Sequence, residues 1–168
     1  QTWTDYLSSY PIYVYNLDTN LGILQIEFVT NIIFDDVDNN GINKYFICGS
    51  SHIQFGSKIL KDDGTRPIIT IDVDSYIGLI ENGTNSILGN NYIYVYNLII
   101  EASAHEIENG GGWFGRSYFG NGATNNYFIN CSSSGNLSPG ITGSGAIVGA
   151  YAGLGGQLYI TGCSSSGI

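Results

Sequence analysis

The sequence has no methionine, and only five of its 168 residues are basic: Lys44, Lys58, Lys61, Arg66 and Arg116. A nucleic-acid binder needs a cationic patch to neutralise phosphates, and these scattered side chains cannot supply one, so no nucleic-acid partner is expected. The formal net charge of −9 disfavours an anionic membrane surface for the same reason. No apolar run approaches the roughly 18–20 residues that a membrane-spanning helix needs, so no membrane insertion is expected. Helical periodicity is nearly missing too. Only residues 3–9 (WTDYLSS) read as a turn of helix, with Thr2 or Thr4 as its cap. Cysteine is scarce and odd in number, at Cys48, Cys131 and Cys163, which excludes a dense disulfide framework. Buried free thiols acting as small hydrophobes are expected, and a Cys131–Cys163 bridge is not required.

What remains is apolar and turn-rich. Hydrophobic residues make up 43% of the chain, so a packed core is expected rather than disorder. Gly occurs 24 times and Tyr 13 times, and Ile and Asn are abundant. Short apolar bursts such as IYVYNL (12–17), ILQIEFV (23–29), PIITIDV (67–73) and YIYVYNLII (92–100) read as strands. Clusters such as KDDGT (61–65), ENGTN (81–85) and SSSGN (132–136) read as turns between them.

The chain repeats itself. Tyr127 to Gly135 (YFINCSSSG) returns as Tyr159 to Gly167 (YITGCSSSG), which makes Cys131 and Cys163 equivalent positions of successive copies. Residues 112–120 match 146–153 if one residue is inserted, and Asn90–Tyr96 matches Asn125–Cys131, with Tyr96 standing at the cysteine position. A unit that repeats in tandem buries its apolar face only by stacking on its neighbours. With strands as the elements, the expected fold is all-β: one β-solenoid over residues 1–168, or a fragment of a longer one. Residues 1–20 would form a short N-terminal cap and first strand, 21–108 irregular coils, and 109–168 Gly-rich CSSSG repeats, with the coils lengthening toward the C-terminus. Cys131 should stack on Cys163, and Phe128 on Ile160. The chain opens at Gln1, with no initiator methionine or signal peptide, and stops at Ile168 inside a repeat. That reads as a processed product or an excised fragment.

The repeat INCSSSGN (129–136), followed by GAIVGAYAG (145–153) and LYITGCSSSG (158–167), resembles GLUG-type repeats of bacterial surface proteins. It resembles still more the right-handed parallel β-helix repeat proteins of giant DNA viruses, and NGGGWFGRSYFGNGATNNYFINC (109–131) fits that pattern. The resemblance covers most of the chain and is best after Trp113. It implies a right-handed parallel β-helix at a virion surface or in an extracellular setting, and no single chemistry. A non-catalytic structural or display role, with protein partners or self-association, is therefore the leading expectation. A carbohydrate-binding or polysaccharide-cleaving β-helix is the alternative, since fold does not fix function.

Four groups of residues could carry chemistry. Asp36, Asp38, Asn40 and Gly41 reproduce the first half of a calcium loop, with oxygen ligands at alternate positions around a sharp turn. The twelfth position is Ile47 rather than a bidentate Glu, and an ordinary Asn/Asp turn fits as well. Asp72 and Asp74, on the same face of a strand, should project outward while Ile71 and Val73 point inward. They offer carboxylates to a sugar or ion, or simply a solvated face. Tyr92, Tyr94 and Tyr96 should share an outer face, either for sugar stacking or as a tyrosine ladder between coils. His52 and His105 lack any metal-site spacing and read as isolated surface or turn residues. Asn82, Asn130 and Asn136 begin glycosylation sequons, of which Asn130, beside an inward cysteine, is the least suited to modification.

Overall fold

In the computed structural model the described residues are 13–18, 23–28, 30–35, 45–57, 65–102, 105–107, 110–137 and 143–167. Strand β1 (Tyr13–Asp18) precedes the first coil, which holds β2 (Ile23–Phe28), β3 (Ile32–Asp35) and β4 (Phe46–Ile47). The second coil holds β5 (Ile53–Gly56), β6 (Ile68–Asp72) and β7 (Ile80–Glu81). The third holds β8 (Ile93–Tyr96), β9 (Ile99–Ala102) and β10 (Glu106–Ile107), and the fourth β11 (Asn126–Ile129), β12 (Ser132–Ser133) and β13 (Asn136–Leu137). Strands β14 (Leu158–Thr161) and β15 (Ser164–Ser165) open a fifth.

Successive coils stack strand on strand. One sheet runs β1-β2-β5-β8-β11-β14, and a second runs β3-β6-β9-β12-β15. The third face is β4 on β7, continued by single bridges from Ile80 to Gly115 and from Gly115 to Val148. Every pair is parallel except β1–β2. The chain is thus a parallel β-solenoid of about four turns, the expected fold. Each CSSSG repeat is a single rung, because the path from Phe128 to Ile160 crosses every face once. The coils do not lengthen toward the C-terminus. The step from Ile26 to Phe55 is the shortest and that from Phe55 to Val95 the longest, while those from Val95 to Phe128 and from Phe128 to Ile160 are nearly equal.

The core is built as ladders, because residues of one parity along each strand face the interior. Ile26, Phe55, Val95 and Phe128 form one ladder, all but wholly buried, and Ile69 and Ile100 belong to another on the second sheet. Phe128 does stack on Ile160, as expected. Ile160 itself is 49% exposed, since no coil follows it in the described chain. At the other end the edge of β2 is covered by antiparallel β1. The expected helical cap at residues 3–9 lies outside the described residues.

Two sequence alignments shift. Tyr94 pairs with Tyr127 and Tyr96 with Ile129, so the cysteine position of the third coil belongs to Leu98, not Tyr96. An alternating strand is blind to such a slip, because an even shift keeps every side chain on its own face. The bridge from Gly112 to Gly145 likewise aligns residues 112–120 with 145–153 without an insertion.

Corners are made by left-handed residues in register. His52 (φ 64), Tyr92 (φ 59) and Asn125 (φ 57) stand before successive strands of the first sheet, and Asn97 (φ 55), Asn130 (φ 52) and Gly162 (φ 64) after them. Tyr118 (φ 60) and Tyr151 (φ 56) form a third set. This conformation is uncommon outside Gly, Asn, Asp and His, so a tyrosine there must be held by its neighbours. The Tyr118 and Tyr151 rings are stacked, with centroids 4.9 Å apart, as are His52 and Tyr92 at 4.6 Å. At the second corner, Asn97 Nδ2 donates to the Ser57 carbonyl at 3.0 Å and Asn130 Nδ2 to Asn97 Oδ1 at 3.4 Å.

Candidate functional site

The outer face of the second sheet carries the most concentrated polar chemistry. Asp72 ends β6, and Asp74 follows it with Val73 buried between them, so both carboxylates point outward as expected. His105 lies between them. Its Nε2 is 2.8 Å from Asp72 Oδ1 and its Nδ1 is 3.0 Å from Asp74 Oδ1. His105 is therefore not isolated, contrary to its spacing in the sequence. The offset between β6 and β9 explains the contact. Ile71 pairs with Ala102. The same step along the chain carries Asp74 to His105.

With a carboxylate on each ring nitrogen, the imidazole is set up to donate from both and to stay protonated. The hydrogen bond to Asp72, opposed by partial burial and aided by the charge of Asp74, holds its pKa above the usual 6.5. Both nitrogens are occupied, so the ring has none free to take a proton from a substrate. It clamps two coils electrostatically. A raised folded pKa gives stability that is complete below about 6.5 and fades as pH climbs through the folded value. The expected effect is a few tenths to about 1 kcal/mol, because Asp72 and Asp74 are solvent-exposed. Nuclear magnetic resonance titration should find the His105 pKa above 6.5 in the wild type and lower in Asp72→Asn. Melting at about pH 5.5 and about pH 8.5 should show a larger acid-side advantage in the wild type than in Asp72→Asn.

The tyrosines lie elsewhere. Tyr94 sits on the outer face of the first sheet and stacks on Tyr127, and Tyr127 on Tyr159, with centroids 4.7 and 4.9 Å apart. Those separations match the spacing of neighbouring strands. Tyr127 thus carries a tyrosine ring on each face, and Tyr94 and Tyr159 are each stacked on one. Tyr92 stacks on His52. Tyr96 lies over Gly56, where a Cβ would come within 2.8 Å of its ring, and its hydroxyl accepts from Gln25 Nε2 at 2.9 Å. The three tyrosines are committed to neighbouring coils, and they belong to a different sheet from Asp72 and Asp74.

Arg116 joins three coils, and nothing in its local sequence signals it. Its guanidinium pairs with Glu81 and lies 3.7 Å over the Tyr45 ring. Cys131 is fully buried and Cys163 partly so, in register as expected, and all three cysteines are free. Asn82 rather than Asn130 is the sequon residue least open to modification. It is wholly buried, donating to the Asn90 carbonyl at 3.0 Å and accepting from the Asn90 N–H at 2.7 Å, whereas Asn130 is exposed.

Asp36, Asp38 and Asn40, the candidate calcium ligands, lie outside the described residues. Among the described residues no group of three or more His, Cys, Asp or Glu is arranged to hold a metal ion. No protein-family model, curated protein or solved structure matches the chain, so its function has to be argued from these residues.

Proposed function

We propose that the chain is a non-catalytic structural solenoid, a rigid rod that presents its faces for attachment or assembly at a virion surface or outside a cell. The supporting observation is the separation of charge along the axis. Residues 117–168 contain no Asp, Glu, Lys, Arg or His, so the whole formal charge of −9 falls on residues 1–116. The early coils are acidic and the last coils are neutral. Acidic coils keep copies apart along their sides, while the neutral coils offer a protein contact free of like-charge repulsion. The resemblance to giant-virus β-helix repeats accords with such a role.

A second reading, a carbohydrate-binding or polysaccharide-cleaving surface, draws on the Asp72–His105–Asp74 cluster. Exposed carboxylates can accept hydrogen bonds from sugar hydroxyls. One experiment separates the two readings: a broad glycan array, with depolymerisation assayed on the same polysaccharides and light scattering on the same sample. The structural reading expects no sugar cleavage and no specific sugar binding, with protein association that rises with concentration. Cleavage of any polysaccharide would overturn it and transfer attention to Asp72, Asp74 and His105.

A further inference from the structure

Cys131 and Cys163 occupy the same corner of successive coils, one beyond β11 and the other beyond β14. The corner is fixed on both sides by the pairs Ile129–Thr161 and Ser132–Ser164. The Asn130 N–H donates to the Thr161 carbonyl at 2.9 Å, and the Ser164 N–H to the Cys131 carbonyl at 3.0 Å. Neighbouring strands lie about 4.8 Å apart, within the roughly 4.4–6.8 Å between Cα atoms that a disulfide spans. Cys163 Sγ already sits 3.4 Å from the Cys131 backbone nitrogen. Arg66 reaches the same corner from the second coil, donating through Nη1 to the Asn130 carbonyl and through Nη2 to Ser132 Oγ at 3.4 Å. These contacts bracket Cys131 and set a fixed cation beside the thiol pair.

We propose that Cys131 and Cys163 form a thiol–disulfide exchange site that takes a low-molecular-weight disulfide and is itself oxidised to a bond joining the last two coils. Cys163 is the attacking thiol, because it is only partly buried while Cys131 is enclosed. The hydrogen bond from Cys131, with Arg66 contributing, draws the Cys163 pKa below the usual thiol range. That bond and burial push Cys131 up. The Cys163 thiolate attacks one sulfur of the small disulfide, forming a mixed disulfide and releasing one small thiolate. Cys131 then passes its proton to the released thiolate and attacks Cys163 Sγ, releasing the second. Two protein thiols lose two electrons and two protons, and one small disulfide becomes two small thiols. Cys48 serves as the internal control, since it is buried and burial raises its pKa.

The test is oxidised glutathione added to the folded chain, followed by intact mass, peptide mapping and melting. The expected product has lost two hydrogens, maps as Cys131 linked to Cys163 with Cys48 still free, and melts about 5–10 °C higher. Cys131→Ser should stop at the glutathione adduct on Cys163, Cys163→Ser should not react, and Arg66→Gln should react several-fold more slowly. The peptide map of the wild type needs no variant, so a variant that fails to fold leaves the test intact. A stable glutathione adduct on the wild type, a bond involving Cys48, or no reaction at either residue would overturn the proposal.

Discussion

Replacing Trp113 by Ala should cost about 3–5 kcal/mol, the usual range for emptying a large buried aromatic site. At this chain length that corresponds to a fall in melting temperature of roughly 8–16 °C. The size of the loss follows from what the indole touches. Trp113 is completely buried and joins three coils. Below it, Tyr76 of the second coil stacks on the ring at 5.6 Å and donates from its hydroxyl to the Trp113 carbonyl at 3.2 Å. Above it, Nε1 donates to the Gly135 carbonyl of the fourth coil at 3.0 Å. The ring also lies where a side chain at Gly135 would be, since a Cβ there would fall 2.1 Å from it. Gly135→Ala should therefore cost about 1–3 kcal/mol or more by overpacking. Once the indole has gone, the same methyl has room. The double variant Trp113→Ala/Gly135→Ala should be more stable than the sum of the single losses, by about 1–3 kcal/mol. Melting curves of the four proteins measure this coupling, and strict additivity would show that Gly135 is required for some reason other than the indole.

Gly135 also shows where the sequence was legible and where it was not. The CSSSG repeat revealed that coils stack, and its spacing placed Cys131 over Cys163 and Phe128 over Ile160. The glycine that ends the motif looked like a tight corner. In the structure it has no left-handed backbone, and the space it leaves holds the Trp113 ring from the coil before. Local sequence cannot disclose such a cause, because the constraint comes from the neighbouring coil. The tyrosines at left-handed corners were hidden for the same reason. Tyr92, Tyr118 and Tyr151 run against local preference, and each is held by an aromatic neighbour one coil away.

The polar sites divide along the same line. Asp72 and Asp74 were legible from strand alternation alone, which depends only on a period of two. Their partner His105 was not, because finding it requires the offset between coils. On the second sheet that offset changes from coil to coil, being longer from Ile32 to Ile69 than from Ile69 to Ile100. Arg116 pairs with Glu81 across a further irregular stretch. After Trp113 the repeat becomes regular, and a nearly constant offset finds the stacking partners. Before it, sequence patterning yields the faces and not the partners.

Gly112→Val should be the most damaging single substitution on the third face, costing about 3 kcal/mol or more as an overpacked site that cannot relax. A Cβ on Gly112 would lie 2.2 Å from the Val148 carbonyl carbon and 2.4 Å from the Gly149 nitrogen. Both are backbone atoms of the fourth coil, held in place by the Gly112–Gly145 and Gly115–Val148 bridges. Its neighbour Gly111 is constrained on the opposite side, where a Cβ would lie 2.4 Å from the Ile77 carbonyl oxygen of the second coil. Two consecutive glycines thus let the third coil approach the backbones of both neighbours. Of the three consecutive glycines only Gly110, with φ 70, adopts a left-handed backbone. Gly115 provides the contrast. The three atoms nearest a Cβ there all belong to side chains, of Phe119, Phe128 and Val148, at 3.0–3.1 Å, and its counterpart one coil later is itself a valine. Gly115→Ala should therefore cost less than about 1.5 kcal/mol as those side chains adjust. Chemical denaturation of the two variants decides the point. A large loss for Gly112→Val beside a small one for Gly115→Ala places the constraint in backbone contact between coils. Equal losses would mean that the third face is merely crowded, and that its glycines are interchangeable.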